Sequence, residues 1–221
     1  MIRLDKFLSE MGLGTRSEVK KLIKTGQIAI NGTVAAKPET KVDTDADEVS
    51  VNGRIVKYQR YEYYLFNKPS GCVSATSDNV HDTVMDYITD AVHDDLFPVG
   101  RLDIDTEGLL LITNDGALSH ELLSPSKHVA KTYYARIDGE VTRDDIIRFK
   151  EGIDIGEERP TKPAELVIKK SGSVSEIELT ITEGKFHQVK RMFAQRGKPV
   201  FYLERIQMGK LTLDPALSRG T

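Results

Sequence analysis

Cysteine is all but missing from this chain: Cys72 stands alone among 221 residues. One thiol cannot close an internal disulfide, so a hydrophobic core must hold the fold, and the usage fits a reducing cytoplasm. No Cys/His/Asp nucleophile pattern surrounds Cys72, which reads as a small packing residue. Long apolar runs are missing too. Nothing approaches the roughly 18 consecutive apolar residues of a membrane-spanning helix, so no membrane association is expected. Met1-Ile2-Arg3-Leu4-Asp5-Lys6 carries an acid at once and does not read as a secretory leader. The histidines at 81, 93, 120, 128 and 187 show no ligand spacing, so no metal is expected. There is no glycine-rich phosphate loop to support nucleotide-triphosphate chemistry.

Positive charge is in deficit overall, with 31 Lys and Arg against 34 Asp and Glu, a net −3. Its distribution is uneven. Thr76 to Asp95 holds Asp78, Asp82, Asp86, Asp90, Asp94 and Asp95 with no Lys or Arg, a local −6. Gly184 to Lys210 holds Lys185, Lys190, Arg191, Arg196, Lys198, Arg205 and Lys210 against Glu204, a local +6 (7 − 1). A polyanion responds to the local field, so the second run is a candidate wall for nucleic acid; two merely solvated faces are the plainer alternative. A hydrophobic content of 39% allows a real core, and the length suits a small domain followed by a medium one.

Leu4, Phe7, Leu8 and Met11 recur at helical spacing until Gly12 and Gly14 end the run. Thr15-Arg16-Ser17-Glu18 reads as a capping box opening a second helix, whose buried stripe is Val19, Leu22 and Ile23 and which Gly26 closes. Arg16, Lys20 and Lys24 lie four apart on one face, with Lys21 beside them. Asn31-Gly32 between short β-prone runs predicts a hairpin, and Val49 to Ile55 around Asn52-Gly53 predicts another strand–turn–strand. Lys57 to Glu62 reads as a linker, dividing the chain into domains 1–60 and 61–221. Further on, Tyr63-Tyr64-Leu65-Phe66 is strand-like and stops at the turn Asn67-Lys68-Pro69-Ser70-Gly71. The acidic stretch with Val84, Tyr87 and Ile88 predicts a surface helix. Strand-like runs at 109–113, 131–137, 164–169 and 174–182 and a helix at 187–196 predict an α+β fold, with a mixed, mainly antiparallel sheet flanked by helices.

The most informative segment is Phe97 to Gly108, a loop dense in Arg, Asp, Thr and Glu that feeds the buried strand Leu109 to Thr113. On the residues alone, Asp103 and Asp105 suit a metal pair, a glycosidase acid/base pair or a capped turn. The pattern Gly100-Arg101-Leu102-Asp103-x-Asp105-Thr106-x-Gly108-Leu109-Leu110 resembles the active-site motif of pseudouridine synthases, in the variant of the ribosomal small-subunit branch. Lys131-Thr132-Tyr133 resembles that family's Lys-x-Tyr motif. Glu183-Gly184-Lys185-Phe186-His187-Gln188-Val189-Lys190-Arg191-Met192-Phe193, then Leu203-x-Arg205, resemble its later segments in the same order. The first sixty residues, through Arg3-Leu4-Asp5-Lys6-Phe7-Leu8, Thr15-Arg16-Ser17 and Gly26-Gln27-Ile28, are similar to the S4-type RNA-binding module.

The resemblance implies that Asp103 is the catalytic carboxylate, acting as nucleophile at the ribose C1′ or as base at C2′, with no cofactor. It implies that Tyr133 lies against the uracil, that Lys190 pairs with and orients the aspartate, and that Leu203 packs on the other side of the base. Lys131, Arg191 and Arg101 join the substrate-binding set, Arg101 either supporting the loop or gripping the target's phosphate. Arg3, Lys6, Arg16, Lys20, Lys21 and Lys24 would contact phosphates, which positions RNA without reading bases. Asp105 and Thr106 read as loop-shaping, and His187 as a hydrogen-bonding wall. The target must leave its stack to expose the glycosidic carbon, and the basic run would hold the displaced backbone.

The implied substrate is 16S ribosomal RNA at uridine 516, as naked RNA or in an assembling small-subunit particle, with the enzyme acting as a cytoplasmic monomer. A 23S ribosomal RNA target is the runner-up. A non-catalytic RNA-binding assembly factor and a glycosidase using Asp103 and Asp105 are the readings from other classes. Chains of the family often run some residues beyond a stop such as Arg219-Gly220-Thr221.

Overall fold

A computed structural model describes residues 1–221, and two units emerge from their contacts. The first comprises Met1–Glu62 with Thr89–Leu96, the second Tyr63–Ile88 with Phe97–Thr221. The chain thus returns to its first unit after leaving it, and there the backbone N–H groups of Val92 and His93 donate to the Glu62 carboxylate at 3.1 and 2.8 Å.

In the first unit β1 (Ile2–Arg3) leads into α1 (Leu4–Glu10) and α2 (Arg16–Lys24). Strands β2 (Ile28–Ile30), β3 (Thr33–Val34), β4 (Lys41–Val42), β5 (Val49–Val51) and β6 (Arg54–Val56) follow. The helical repeat of Leu4, Phe7, Leu8 and Met11 becomes one buried face, closed by Val19, Ile23, Ile28, Val42 and Val49. The capping box forms as its residues predict: Glu18 accepts from the Thr15 N–H at 2.8 Å, and Thr15 Oγ1 accepts from the Glu18 N–H at 3.4 Å. Asn31 and Gly32 both take positive φ (50° and 76°), the pairing a tight I′ hairpin between β2 and β3 requires.

The second unit is built on an eight-stranded sheet formed by β7 (Tyr63–Lys68), β8 (Phe97–Pro98), β9 (Glu107–Thr113), β10 (Lys131–Asp138), β11 (Glu165–Lys170), β12 (Val174–Ile181), β13 (Val200–Met208) and β14 (Leu211–Thr212). The order is β11-β12-β10-β13-β9-β7, with β8 on β9 and β14 on β13. Every pairing is antiparallel except β13 with β9. This is the α+β architecture with a mixed sheet that the sequence predicts. Strand β9 is buried from Gly108 to Thr113, which explains its unbroken apolar run: both faces are covered. Leu109 and Leu111 pack with Leu118 and Leu122 of α3 (Gly116–Leu123). Helix α4 (Arg143–Glu151) packs on β11 and α5 (Gln188–Ala194) on β13, with Phe149 and Phe193 in ring contact at 4.6 Å. No helix is long and apolar enough to cross a membrane.

The expected helix over the acidic stretch is instead one 3-10 turn, Val84–Tyr87. The cause is local. Asp78 accepts from the N–H groups of Val80 and His81 at 2.9 and 2.8 Å, an alternative to helical bonding that aspartate favours, and the chain leaves for the first unit at Thr89.

One buried charge stabilises the α4–α5 side of the sheet. Asp145 is fully buried and accepts from the Thr142 N–H at 2.8 Å, from Arg196 Nε at 2.9 Å and from Lys198 Nζ. Burial opposes its charge, but the bonds from Lys198, Thr142 and Arg196 outweigh it and hold the pKa at about 2 against an ordinary 3.8. Because the folded pKa lies below the unfolded one, this stabilisation is complete above about pH 4 and is lost as pH falls through about 2. The shift corresponds to about 2 kcal/mol. Asp145→Asn is therefore expected to lower the unfolding free energy by about 2–3 kcal/mol near neutral pH, with the deficit shrinking towards pH 2. Urea unfolding of both proteins near pH 7 and near pH 3 measures this, and a deficit independent of pH contradicts it.

Candidate active site

The loop from Gly100 to Thr106 reaches β9 under restraint on both sides of Asp103. Before it, Ser74 Oγ donates to the Leu102 carbonyl at 3.1 Å and accepts the Leu102 N–H at 3.0 Å. After it, the fully buried Lys68 ammonium donates to the carbonyls of Ile104 (3.3 Å), Thr106 (3.0 Å) and Pro69 (3.0 Å). The Gly71 N–H adds a bond to the Ile104 carbonyl at 2.8 Å, and the Thr106 N–H closes the turn onto the Asp103 carbonyl at 3.0 Å. A side chain fixed at both neighbours loses little freedom when a substrate arrives, which is what positioned chemistry needs. Burial pushes the Lys68 pKa down, while the negative groups around it, Asp105, Glu107 and Asp103 among them, pull the other way. Lys68 and Ser74 were not distinguishable in the sequence, where a lysine between a strand and Pro69 reads only as part of a turn.

Two carboxylates share one ammonium. Lys190 Nζ lies 3.3 Å from Asp103 Oδ2 and 2.5 Å from Asp105 Oδ1. The other Asp103 oxygen is 3.6 Å from His187 Nε2, too long for a hydrogen bond. Asp103 is 27% exposed and Asp105 64%. At Asp105 burial raises the pKa, but the bond and charge of Lys190 outweigh it and hold the group below the ordinary carboxylate range. The loop-shaping aspartate of the sequence is thus the closer partner of the lysine, and the histidine expected only as a wall faces the candidate carboxylate directly. His187 holds a left-handed backbone (φ 48°) at the N-terminus of α5, a conformation uncommon outside glycine.

Register brings the other expected residues to one face of the sheet. Tyr133 of β10 lies opposite Arg205 of β13, which lies opposite Gly108 of β9; Ala135 lies opposite Leu203. By strand alternation Tyr133, Ala135, Leu203 and Arg205 share a face, and all four are buried. Arg205 donates from Nε to the Leu109 carbonyl at 2.8 Å, leaving its buried Nη2 without a partner. Burial, then the Arg205 charge, lower the Lys131 pKa, so this ammonium is close enough to Arg205 to feel it. Tyr134 turns to the opposite face, where its hydroxyl donates to Glu176 at 2.8 Å and its ring meets Tyr202 edge-on.

Several expected contacts are already engaged. Arg191 donates to Glu157 at 2.8 Å and to the Phe186 and Ile155 carbonyls. Lys185 pairs with Glu157, Arg196 and Lys198 with Asp145, and Arg205 is interior. With Asp103 and Asp105 on Lys190 and Asp144 on Arg196, these carboxylates offset much of the run's +6, and Lys210 remains exposed. Arg101 is exposed at the loop's start. In the first unit Arg16, Lys20, Lys21 and Lys24 are exposed along α2, whereas Arg3 makes a two-pronged pair with Asp5 and Lys6 approaches Glu10 at 3.5 Å.

A partly shielded carboxylate held beside an ammonium and an imidazole can attack an electron-poor carbon or remove a proton without a cofactor. Comparison with known proteins gives that chemistry a family. The pattern of the RNA pseudouridylate synthase family matches residues 62–195, and that of the S4 domain residues 2–49. An uncharacterized RNA pseudouridine synthase of Bacillus subtilis is 47% identical across 99% of this chain and 92% of its own length. A ribosomal small subunit pseudouridine synthase A of Haemophilus influenzae is 38% identical across 99% and 94%. A crystal structure of a pseudouridylate synthase superposes with a TM-score of 0.69 at 36% identity, covering 100% of this chain and 94% of its own. The chain belongs to the RNA pseudouridylate synthase family and is an RNA pseudouridine synthase with an S4 domain at its N-terminal end.

Proposed function

We propose that this enzyme converts one uridine of 16S ribosomal RNA, uridine 516, to pseudouridine, with Asp103 as the carboxylate that detaches uracil from N1 and allows its return through C5. The observation that carries the assignment is the setting of Asp103: both chain neighbours are pinned, and its two oxygens face Lys190 and His187. Asp105 bonds Lys190 but is far more open to water. Tyr133 is the candidate for the uracil face and Leu203 for the opposite side, both standing on the buried face next to Arg205. Lys131, Arg101 and Arg191 complete the substrate set, Arg191 acting through the Phe186 and Ile155 backbone it already holds.

Residues 1–60 serve as the RNA-gripping domain and 61–221 as the catalytic one. The exposed cations of α2 meet phosphates, with Arg3 and Lys6 exchanging their present partners for RNA. The small-subunit target is supported by full-length likeness to relatives named for that subunit, 38% identical in Haemophilus influenzae and 35% in Escherichia coli. Pseudouridine mapping of both ribosomal RNAs from cells lacking the protein tests this. Loss of the single 16S site is the expected result. Loss of a 23S site instead would move the target, and no loss anywhere would overturn the reading.

A further inference from the structure

Phe186 is 71% exposed, yet the turn that carries it is braced by polar side chains. Glu157 receives Lys185 at 3.3 Å from one side and Arg191 at 2.8 Å from the other, the two residues bracketing the turn. Arg191 also donates to the Phe186 carbonyl at 3.0 Å. The buried Gln188 accepts from the Lys185 N–H at 2.9 Å and donates to Glu183 at 2.9 Å, closing the turn from within. An exposed phenylalanine on a loose tip needs no explanation, because surface apolar residues are common. Two polar side chains bonding the backbone under one water-facing ring, braced by three more, are a different matter.

The ring is backed as well as mounted. Phe186 and His187 stack with centroids 3.8 Å apart and planes 19° apart. His187 in turn places Nε2 3.6 Å from Asp103 Oδ1. One face of Phe186 is therefore covered by the imidazole that touches the candidate carboxylate, and the outer face, at 71% exposure, is turned to water one ring thickness further out. Extruding a uridine leaves its chain neighbour with an unstacked face. An aromatic ring offers that face a replacement irrespective of base identity. With Lys185 and Arg191 beside it already paired to Glu157, phosphate attraction at this turn is reduced, and stacking gains in relative weight.

We propose that Phe186, backed by His187, is a stacking platform for the nucleobase next to the extruded uridine, and so a positioning residue for RNA. This rests on Asp103 marking the place of the target uridine. The test uses the full-length enzyme on ribosomal RNA transcripts labelled with tritium at uracil C5, titrated to give KM and kcat separately. Phe186→Ala is expected to raise KM by about 5- to 100-fold with kcat within about 2-fold. Phe186→Trp should restore the wild-type KM, while Phe186→Leu, apolar but without a π-face, should not. An unchanged KM, a loss in kcat alone, or rescue by leucine would each overturn the platform. Thermal unfolding of the variants, expected to match the wild type at so exposed a position, excludes misfolding as the cause. Asp103→Asn is run in parallel: turnover by that variant at the wild-type rate sinks the catalytic reading whatever Phe186 does, whereas an inert Asp103→Asn beside an unaffected Phe186→Ala sinks the platform alone.

Discussion

Asp103→Asn is expected to abolish tritium release from uracil C5, a fall of at least about 10⁴-fold in kcat. Asparagine matches aspartate in size and keeps a polar carbonyl towards Lys190, so the loop should stay in place. It has lost both chemical capacities at issue. A neutral amide forms no stable bond to C1′ and takes no proton from C2′. The fold gives little reason for indirect damage, since Leu102, Ile104 and Thr106 are held by Ser74, Gly71 and Lys68 through backbone groups that the substitution does not touch. The informative control is Asp105→Asn. Asp105 is the nearer partner of Lys190, but at 64% exposure its pair is solvated and worth no more than about 1 kcal/mol. Its removal should change kcat by less than about 10-fold. Were the two variants to fall in the reverse order, the nucleophile or base would be Asp105, and the geometry around Asp103 would have to be read as support. Tritium release under saturating RNA, with circular dichroism to confirm folding, separates these results.

Much of this was legible in the residues, for reasons that differ along the chain. The first unit could be read because its signals are local: the capping box at Thr15 and Glu18 and the Asn31-Gly32 hairpin each depend on residues within a turn of one another. The buried strand at Leu109 to Ile112 could be read because both its faces are covered. The acidic stretch misled because helical spacing of Val84, Tyr87 and Ile88 says nothing of the extended backbone at Ile88, from which the chain leaves for the first unit at Thr89. At the site, motif order pointed to Asp103, Tyr133 and Lys190, but not to what holds the loop. Lys68 reaches its carbonyls across more than thirty residues of sequence, a pairing that no local pattern encodes. The basic run misled in the opposite direction. Four of its cations are paired by Glu157 and Asp145, which lie 28 to 53 residues away in sequence, so a count of charges over the run overstates its open field.

Gly108→Ala should cost more stability than any other small substitution near the site, about 4–5 kcal/mol in urea unfolding. Two effects combine there. With φ at +97°, any side chain strains the backbone. The added Cβ would also stand 2.4 Å from the Arg205 carbonyl oxygen and 2.9 Å from its nitrogen, backbone atoms with nowhere to move. That approach is the parallel junction itself, where β9 meets β13 through Glu107 with Glu204 and Gly108 with Arg205. Forcing it apart withdraws the Leu109 carbonyl from Arg205, a fully buried cation whose Nη2 already lacks a partner. Gly71 provides the comparison, because its φ is also +97° while nothing lies within 4 Å of its would-be Cβ. Gly71→Ala should therefore show backbone strain alone, about 1–2 kcal/mol. The excess at Gly108 measures how closely the two strands must approach to hold Arg205 beneath Tyr133 and to set the Asp103 loop at the sheet's end. Activity in the folded fraction should fall with it. Equal losses at the two glycines would mean that the junction relaxes freely and that the buried arginine does not depend on it.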